Sequence, residues 1–222
     1  MKLPKLIIFS SGTQTHGGSG FENLVKAKNE GTLRADIVAV VSNHENGGVR
    51  EKADRLHVPF IHFPKPWNEE NYKKIILETG AEFTALSGWL KLVRGLSPKT
   101  TLNIHPGPLP KFGGFGMYGH FVHEAVIAAF KQGEVTSSEV CMHFVTESKS
   151  VSDYDKGPVF FRISVPIEKE DTGETLADRA NKIEHKYQPI ITDLVVNGEI
   201  SWDGINPESL KVPKGYTYHI AQ

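Results

Sequence analysis

The chain has 222 residues, of which 39% are hydrophobic and 23% are charged. This composition is typical of a globular domain and excludes a collagen-like, coiled-coil or wholly disordered chain. The 25 basic residues are balanced by 26 acidic ones, so we expect no nucleic-acid partner, which would favour a basic excess. No apolar run approaches the roughly 20 residues of a membrane span, and the single cysteine is typical of a reducing compartment. We therefore expect a cytoplasmic protein without membrane contact.

The first half of the chain alternates short apolar runs with helical patterns. Four apolar runs predict strands, at 6–9, 37–41, 59–63 and 83–86. Three segments between them predict helices, at 21–27, 49–56 and 69–79. This alternation predicts an α/β fold with a parallel sheet and crossover helices.

The second half of the chain has a different character. Strands are predicted at 101–105, 139–145 and 159–165, and helices at 120–132 and 175–196. The last two strands follow one another across a polar loop, and we expect antiparallel strands in this half. We predict one domain over residues 1–200, with a C-terminal extension over 201–222 packed on the same domain.

A loop rich in Gly, Ser and Thr follows the first strand and ends in Gly18, Ser19 and Gly20. Ligands of open α/β sheets bind beyond the carboxyl ends of the strands, and the free N–H groups at a helix start favour anions. The three residues are a candidate phosphate cradle, with a flexible surface loop as the equally weighted alternative.

The stretch 114–119 matches the G-x-G-x-x-G pattern of dinucleotide sites. That pattern indicates a dinucleotide only when it follows a strand, and here it follows a Pro-rich segment. We interpret its glycines as a loop that lets a substrate approach the backbone.

Asn103 and His105 are two residues apart at the end of a strand, so their side chains share one face. Asn offers a neutral donor to an oxyanion, and His moves protons near neutral pH. Asp155, just before another strand, is a candidate partner for the imidazole, and Asp153 is the alternative carboxylate. The pair His120 and His123 lacks the H-E-x-x-H order, and we expect no metal.

The segment 102–110, Leu-Asn-Ile-His-Pro-Gly-Pro-Leu-Pro, resembles the signature of the folate-dependent formyltransferase family. Further segments match that family in the same order: 18–20, 87–90, 143–146, 155–158 and 184–185. The resemblance implies a single Rossmann-like domain, with a mostly parallel twisted sheet and helices on both faces.

The resemblance also implies transfer of a formyl group from 10-formyltetrahydrofolate to the amine of glycinamide ribonucleotide, in purine biosynthesis and without a metal. Asn103, His105 and Asp155 would be the catalytic set, with His105 held protonated by Asp155. The implied acceptor contacts are Gly18, Ser19, Gly20, Pro106, Gly107, Met117, Tyr118, Gly119, His120, Asn181 and Glu184. The implied folate contacts are Trp89, Leu90, Lys91, Leu92, Val151, Ser152, Asp153 and Tyr154.

Several departures from the family pattern leave alternatives open. The segments around 13–17, 91–95 and 147–154 are longer than usual, and Glu69 stands near a place where the family has a substrate-binding Arg. A nucleotide-linked amino sugar is the alternative acceptor, and a non-catalytic folate-binding module is the alternative class. The partners implied are small molecules only, and the sequence is compatible with either a monomer or a homodimer.

Overall fold

Strands and helices alternate along the chain in a computed structural model that describes residues 2–147, 150 and 153–220. The strands are β1 (Lys5–Phe9), β2 (Asp36–Ser42), β3 (Phe60–His62), β4 (Phe83–Leu86), β5 (Thr101–His105), β6 (Ser137–Phe144) and β7 (Val159–Pro166). The α-helices are α1 (Ser19–Asn29), α2 (Gly48–Arg55), α3 (Glu69–Thr79), α4 (His120–Lys131) and α5 (Gly173–Val196). Every strand and helix predicted from the sequence is present, with ends shifted by a few residues.

The strands form one sheet in the order β3-β2-β1-β4-β5-β6-β7. The first five strands are parallel, whereas β6 and β7 are antiparallel to their neighbours. The predicted mostly parallel sheet with antiparallel strands in the second half is therefore confirmed. The chain runs outward from β1 to β3 and then returns to β4, so the strand order reverses between β1 and β4. A crevice opens at the carboxyl ends of the strands at such a reversal.

Two apolar clusters cover the two faces of the sheet. Alternate residues of β1 divide between them: Leu6 and Ile8 belong to one cluster, and Ile7 and Phe9 to the other. Helices α1, α2, α4 and α5 supply buried residues to the first cluster, and α3 supplies the second. A strand buried on both faces reads as a continuous apolar run, which is why the sequence located β1 and β2 well.

Helix α5 begins at Gly173, two residues before the predicted start. The Thr172 side chain accepts a hydrogen bond from the Thr175 backbone, and Thr175 reciprocates. This reciprocal cap satisfies two N–H groups of the first turn. It sets the direction in which α5 leaves the loop and passes the crevice.

The residues after α5 return to the body of the protein. Trp202 is buried, and its ring lies 5.8 Å from that of Phe144. The Tyr218 ring lies 5.5 Å from that of Phe161. These contacts accord with an extension packed on the same domain, although a boundary at residue 200 stays a prediction. None of the helices that the structure describes is long and apolar enough to cross a membrane.

Candidate active site

A cavity of about 1140 Å³ opens at the carboxyl ends of β1, β4 and β5. Its walls come from the start of α1, the segment after β4, the loop before α4, the loop after β6 and one side of α5. The residues predicted for the site that line it are Gly18, Ser19, Gly20, Trp89, Leu90, Lys91, Leu92, Asn103, His105, Pro106, Met117, Tyr118, Gly119, His120, Asp153, Tyr154, Asp155, Asn181 and Glu184. Val151 and Ser152 lie outside the described residues.

Gly107 is not among the residues that line the cavity. A Cβ atom on it would lie 2.5 Å from Cγ1 of Val122 and 3.2 Å from Nε2 of His105. Gly107 therefore packs closely against Val122, with the imidazole of His105 next to it. Its expected role as an acceptor contact stays a prediction.

His105 is held at the end of β5 by one well-formed hydrogen bond. Its Nε2 lies 2.8 Å from the backbone carbonyl of Phe112. A carbonyl can only accept, so Nε2 carries a hydrogen and donates it. The other ring nitrogen, Nδ1, faces the carboxylate of Asp155 and lies 3.8 Å from its Oδ2. This separation is too long for a direct hydrogen bond.

Asp155 lies in the loop between β6 and β7 and faces His105. Its φ is +56°, a left-handed backbone conformation that Asp and Asn adopt more readily than most residues. Oδ2 accepts a hydrogen bond from the Gly114 backbone at 3.0 Å, and Oδ1 lies 3.3 Å from Nδ2 of Asn103. The carboxylate thus links the loop before α4 to the carboxyl end of β5.

His143 is a member of this cluster that the site prediction missed. It lies opposite Asn103 in the antiparallel pairing of β5 and β6. Its Nδ1 donates to the carbonyl of Phe144 at 2.8 Å, and its Nε2 lies 3.2 Å from Oδ1 of Asp155. A histidine in the apolar second half of this strand, twelve residues before Asp155, was the available signal. Its place beside Asn103 depends on strand register, which the sequence did not show.

The electrostatics of the cluster are set by burial and by the carboxylate. Burial lowers the pKa of His105 below its ordinary value, although attraction to Asp155 opposes this shift. Burial alone would raise the pKa of Asp155, but the hydrogen bond to His143 and attraction to the two histidines lower it to about 2. These directions favour a neutral His105 beside an ionised Asp155. The expectation that Asp155 holds His105 protonated stays a prediction.

The start of α1 has the features of an anion site. Gly18 takes a left-handed conformation, with φ 76°, and none of the described side chains caps the helix. The N–H groups of the first turn thus have no capping side chain among the described residues, and such groups can bind an anion. A Cβ on Gly20 would lie 2.2 Å from Oγ of Ser87, so this glycine is needed for the close approach of α1 to the end of β4.

Helix α5 packs against α1, where Nδ2 of Asn23 donates to the carbonyl of His185 at 2.6 Å. Next to this contact, Glu184 of α5 accepts a hydrogen bond from Nδ2 of Asn181 at 3.4 Å. Burial raises the pKa of the Glu184 carboxyl to about 7. At pH values between 4.5, the ordinary pKa of Glu, and about 7, Glu184 of the folded chain keeps a proton that the unfolded chain has released. Stability therefore falls as pH rises through this window.

Glu184→Gln is expected to remove this pH dependence. The variant should match the wild-type protein in stability near pH 4 and exceed it by about 2 kcal/mol near pH 8. Urea denaturation of both proteins at the two pH values measures the difference. An identical difference at both pH values would contradict the raised pKa.

The chain belongs to the formyl transferase family, whose family model, described as "Formyl transferase", matches residues 4–192. A chloroplastic phosphoribosylglycinamide formyltransferase of Arabidopsis thaliana is 33% identical over 214 residues, covering 90% of this chain and 69% of that protein. The phosphoribosylglycinamide formyltransferase of Bacillus subtilis is 30% identical over 199 residues, covering 85% of this chain and 93% of that protein.

Solved structures agree with this assignment at the level of fold. The glycinamide ribonucleotide transformylase 1 of Symbiobacterium toebii superposes with a TM-score of 0.78 at 24% identity, covering 96% of this chain and 95% of that one. The family expected from the segment 102–110 is therefore confirmed.

Proposed function

We propose that the chain transfers the formyl group of 10-formyltetrahydrofolate to the glycinamide amine of 5-phosphoribosylglycinamide. The observation that most supports this proposal is the cluster of Asn103, His105 and Asp155 in the middle of the cavity. The same cavity is lined by the uncapped start of α1 and by the segment after β4. A phosphorylated acceptor and a folate donor can therefore meet at the cluster. The names of the curated relatives point to the same reaction.

The two ligands would occupy different walls of the cavity. The acceptor phosphate would bind the free N–H groups at Ser19 and Gly20, where the helix dipole favours negative charge. Asn181 and Glu184 would contact the ribose hydroxyls or the glycinamide part. The folate ring would lie against the backbone of residues 89–92 and the loop that leads to Asp155.

In the chemical step, the amine nitrogen attacks the formyl carbon and the carbonyl electrons move to oxygen. Asn103 donates a hydrogen bond to this oxyanion, a contribution of about 3–4 kcal/mol when the donor is preorganised. The neutral Nδ1 of His105 takes the proton that the amine loses, either directly or through a water. Asp155, ionised and 3.8 Å away, stabilises the imidazolium.

The intermediate then collapses to products. The C=O bond reforms, the bond between the formyl carbon and N10 breaks, and the imidazolium returns its proton to N10. Formylated acceptor and tetrahydrofolate leave, and His105 is neutral again. Each residue ends the cycle in the protonation state in which it began, and the proposed reaction requires no group beyond the two substrates.

The reaction is tested by mixing the purified chain with 10-formyltetrahydrofolate and glycinamide ribonucleotide and following the absorbance of the deformylated folate. We expect catalytic turnover that depends on both substrates. Folate binding without transfer to this acceptor would contradict the choice of acceptor and favour an amino sugar. Folate binding without transfer to either acceptor would favour a non-catalytic binding module.

Removing the phosphate from the acceptor is expected to lower kcat/KM by at least ~10²-fold. Charge-assisted hydrogen bonds to the phosphate contribute about 1.5–3 kcal/mol each, and the start of α1 offers several donors. Steady-state kinetics with glycinamide ribonucleotide and its dephosphorylated form give the ratio. Equal kcat/KM values for the two acceptors would contradict the phosphate cradle at residues 18–20.

A further inference from the structure

Tyr72 of α3 joins two parts of the cavity wall through its hydroxyl. The side chain is fully buried, among the rings of Phe9, Phe63 and Trp89. The hydroxyl accepts a hydrogen bond from Nε1 of Trp89 at 2.8 Å and donates one to the backbone carbonyl of Leu92 at 3.2 Å. Burial raises the pKa of Tyr72, so the hydroxyl keeps its hydrogen and makes both bonds at once. Neither bond was expected from the sequence.

The segment between these two bonds has no regular structure of its own. Ser11 holds its first half, because its backbone N–H donates to the carbonyl of Gly88 at 2.9 Å and its Oγ accepts from the N–H of Leu90 at 3.0 Å. In the part of the chain that the structure describes, Tyr72 alone makes a hydrogen bond to the Leu92 carbonyl. Tyr72 is therefore the hydrogen-bond anchor of the second half of the segment.

Between these anchors lies Lys91, which lines the cavity. Among the described residues, its backbone N–H and carbonyl have no hydrogen-bond partner. A flat heterocycle with donors and acceptors along its edge is recognised by such groups when they are held at fixed positions. The indole of Trp89 contributes little directly, since only 6% of the residue is exposed.

We propose that Tyr72 is a positioning residue for the donor substrate: its hydroxyl holds the backbone of residues 89–92 in the conformation that recognises the ring of the folate. The inference rests on the proposed function and adds a specificity role to a residue outside the cavity. Tyr72 touches neither substrate. Its effect should appear in donor binding and leave the chemical step and the acceptor unaffected.

Tyr72→Phe is expected to raise the KM for 10-formyltetrahydrofolate about tenfold, because it leaves a buried indole N–H and a backbone carbonyl without partners. The dissociation constant of tetrahydrofolate, measured by calorimetry, should rise by a similar factor. The kcat and the KM for the acceptor should stay within about twofold of wild type, since Asn103, His105 and Asp155 are untouched.

Tyr216→Phe is the matched control. Its hydroxyl is also buried but has no hydrogen-bond partner among the described residues, and it does not line the cavity. This variant should keep the wild-type KM for the donor. In a Trp89→Phe background the orphaned N–H is absent, so adding Tyr72→Phe should have a smaller effect than it has alone.

Three outcomes would overturn the inference. The first is a Tyr72→Phe variant that binds tetrahydrofolate within twofold of wild type. The second is an equal rise in the KM for donor and acceptor, which would indicate general loosening of the fold. The third applies if Tyr72→Phe does not fold. The double variant Tyr72→Phe, Trp89→Phe then takes its place, because it lacks the unpaired indole N–H. Tetrahydrofolate affinity in this double variant equal to that of Trp89→Phe alone would overturn the inference. Wild-type protein that binds no folate would contradict the proposed function itself, before any variant is compared.

Discussion

Asp155→Asn is expected to lower kcat by about 10²–10⁴-fold while leaving the fold intact. Asn tolerates the left-handed backbone at this position, where φ is +56°, and it has nearly the same shape. The substitution removes the negative charge that stabilises the imidazolium of His105. Steady-state kinetics at saturating donor and acceptor measure the loss, and thermal denaturation checks the fold.

Asp153→Asn is the comparison that separates the two candidate carboxylates. Asp153 accepts a hydrogen bond from the backbone N–H of Ser150 at 2.9 Å, whereas Asp155 faces His105 and His143. We expect kcat of the Asp153 variant to stay within about threefold of wild type. A larger loss in this variant than in Asp155→Asn would reverse the assignment.

The pH dependence of kcat offers a second check on the same cluster. With a pKa of about 2, Asp155 is ionised at every pH at which the protein would be assayed. Protonation of His105 in the substrate complex should therefore set the acid limb of the wild-type profile, because its neutral Nδ1 receives the proton of the amine.

Gly157→Ala is expected to be the most damaging single substitution for stability. A Cβ at this position would lie 1.6 Å from the carbonyl oxygen of Phe144, which is backbone and cannot move aside as a side chain can. The resulting shift would separate the ends of β6 and β7 and displace Asp155. We expect a loss of at least about 3 kcal/mol in the free energy of unfolding, measured by urea denaturation.

Gly173→Ala is the matched control, since Gly173 also lacks a positive φ. A Cβ on Gly173 would lie 3.0 Å from Cγ of Glu124, part of a flexible side chain, and 3.3 Å from the backbone nitrogen of Glu124, far longer than the 1.6 Å at Gly157. This variant should stay within about 1 kcal/mol of wild type. A Gly157→Ala protein with an unchanged unfolding midpoint would show that the backbone of Phe144 can yield.

The elements that the sequence located well are those decided by local pattern. Strands β1 and β2 were predicted to within one residue at each end because both faces of each strand are apolar. The shared face of Asn103 and His105 followed from the two-residue period of a strand. The order of strands in the sheet depends on long-range packing, and no local pattern indicated that β1 lies between β2 and β4.

The parts of the site that the sequence missed depend on contacts between distant segments. His143 meets Asn103 only through the register of β5 and β6. Tyr72 and Trp89 meet because α3 packs beneath the end of β4, although they are 17 residues apart. In each case the missing information was a tertiary distance.

The hydrogen bond between the N–H of Phe144 and the carbonyl of Pro158, at 3.1 Å, joins the two ends of the loop that contains Asp155. The base of the loop is thus closed by β6 and β7, and Asp155 is held separately by hydrogen bonds to Gly114 and Asn103. Residues may be inserted or removed between these two ties at a modest entropic cost, since loop closure depends only weakly on length. We therefore expect a change in the number of residues within the segment 147–154 to leave the carboxylate of Asp155 in its position.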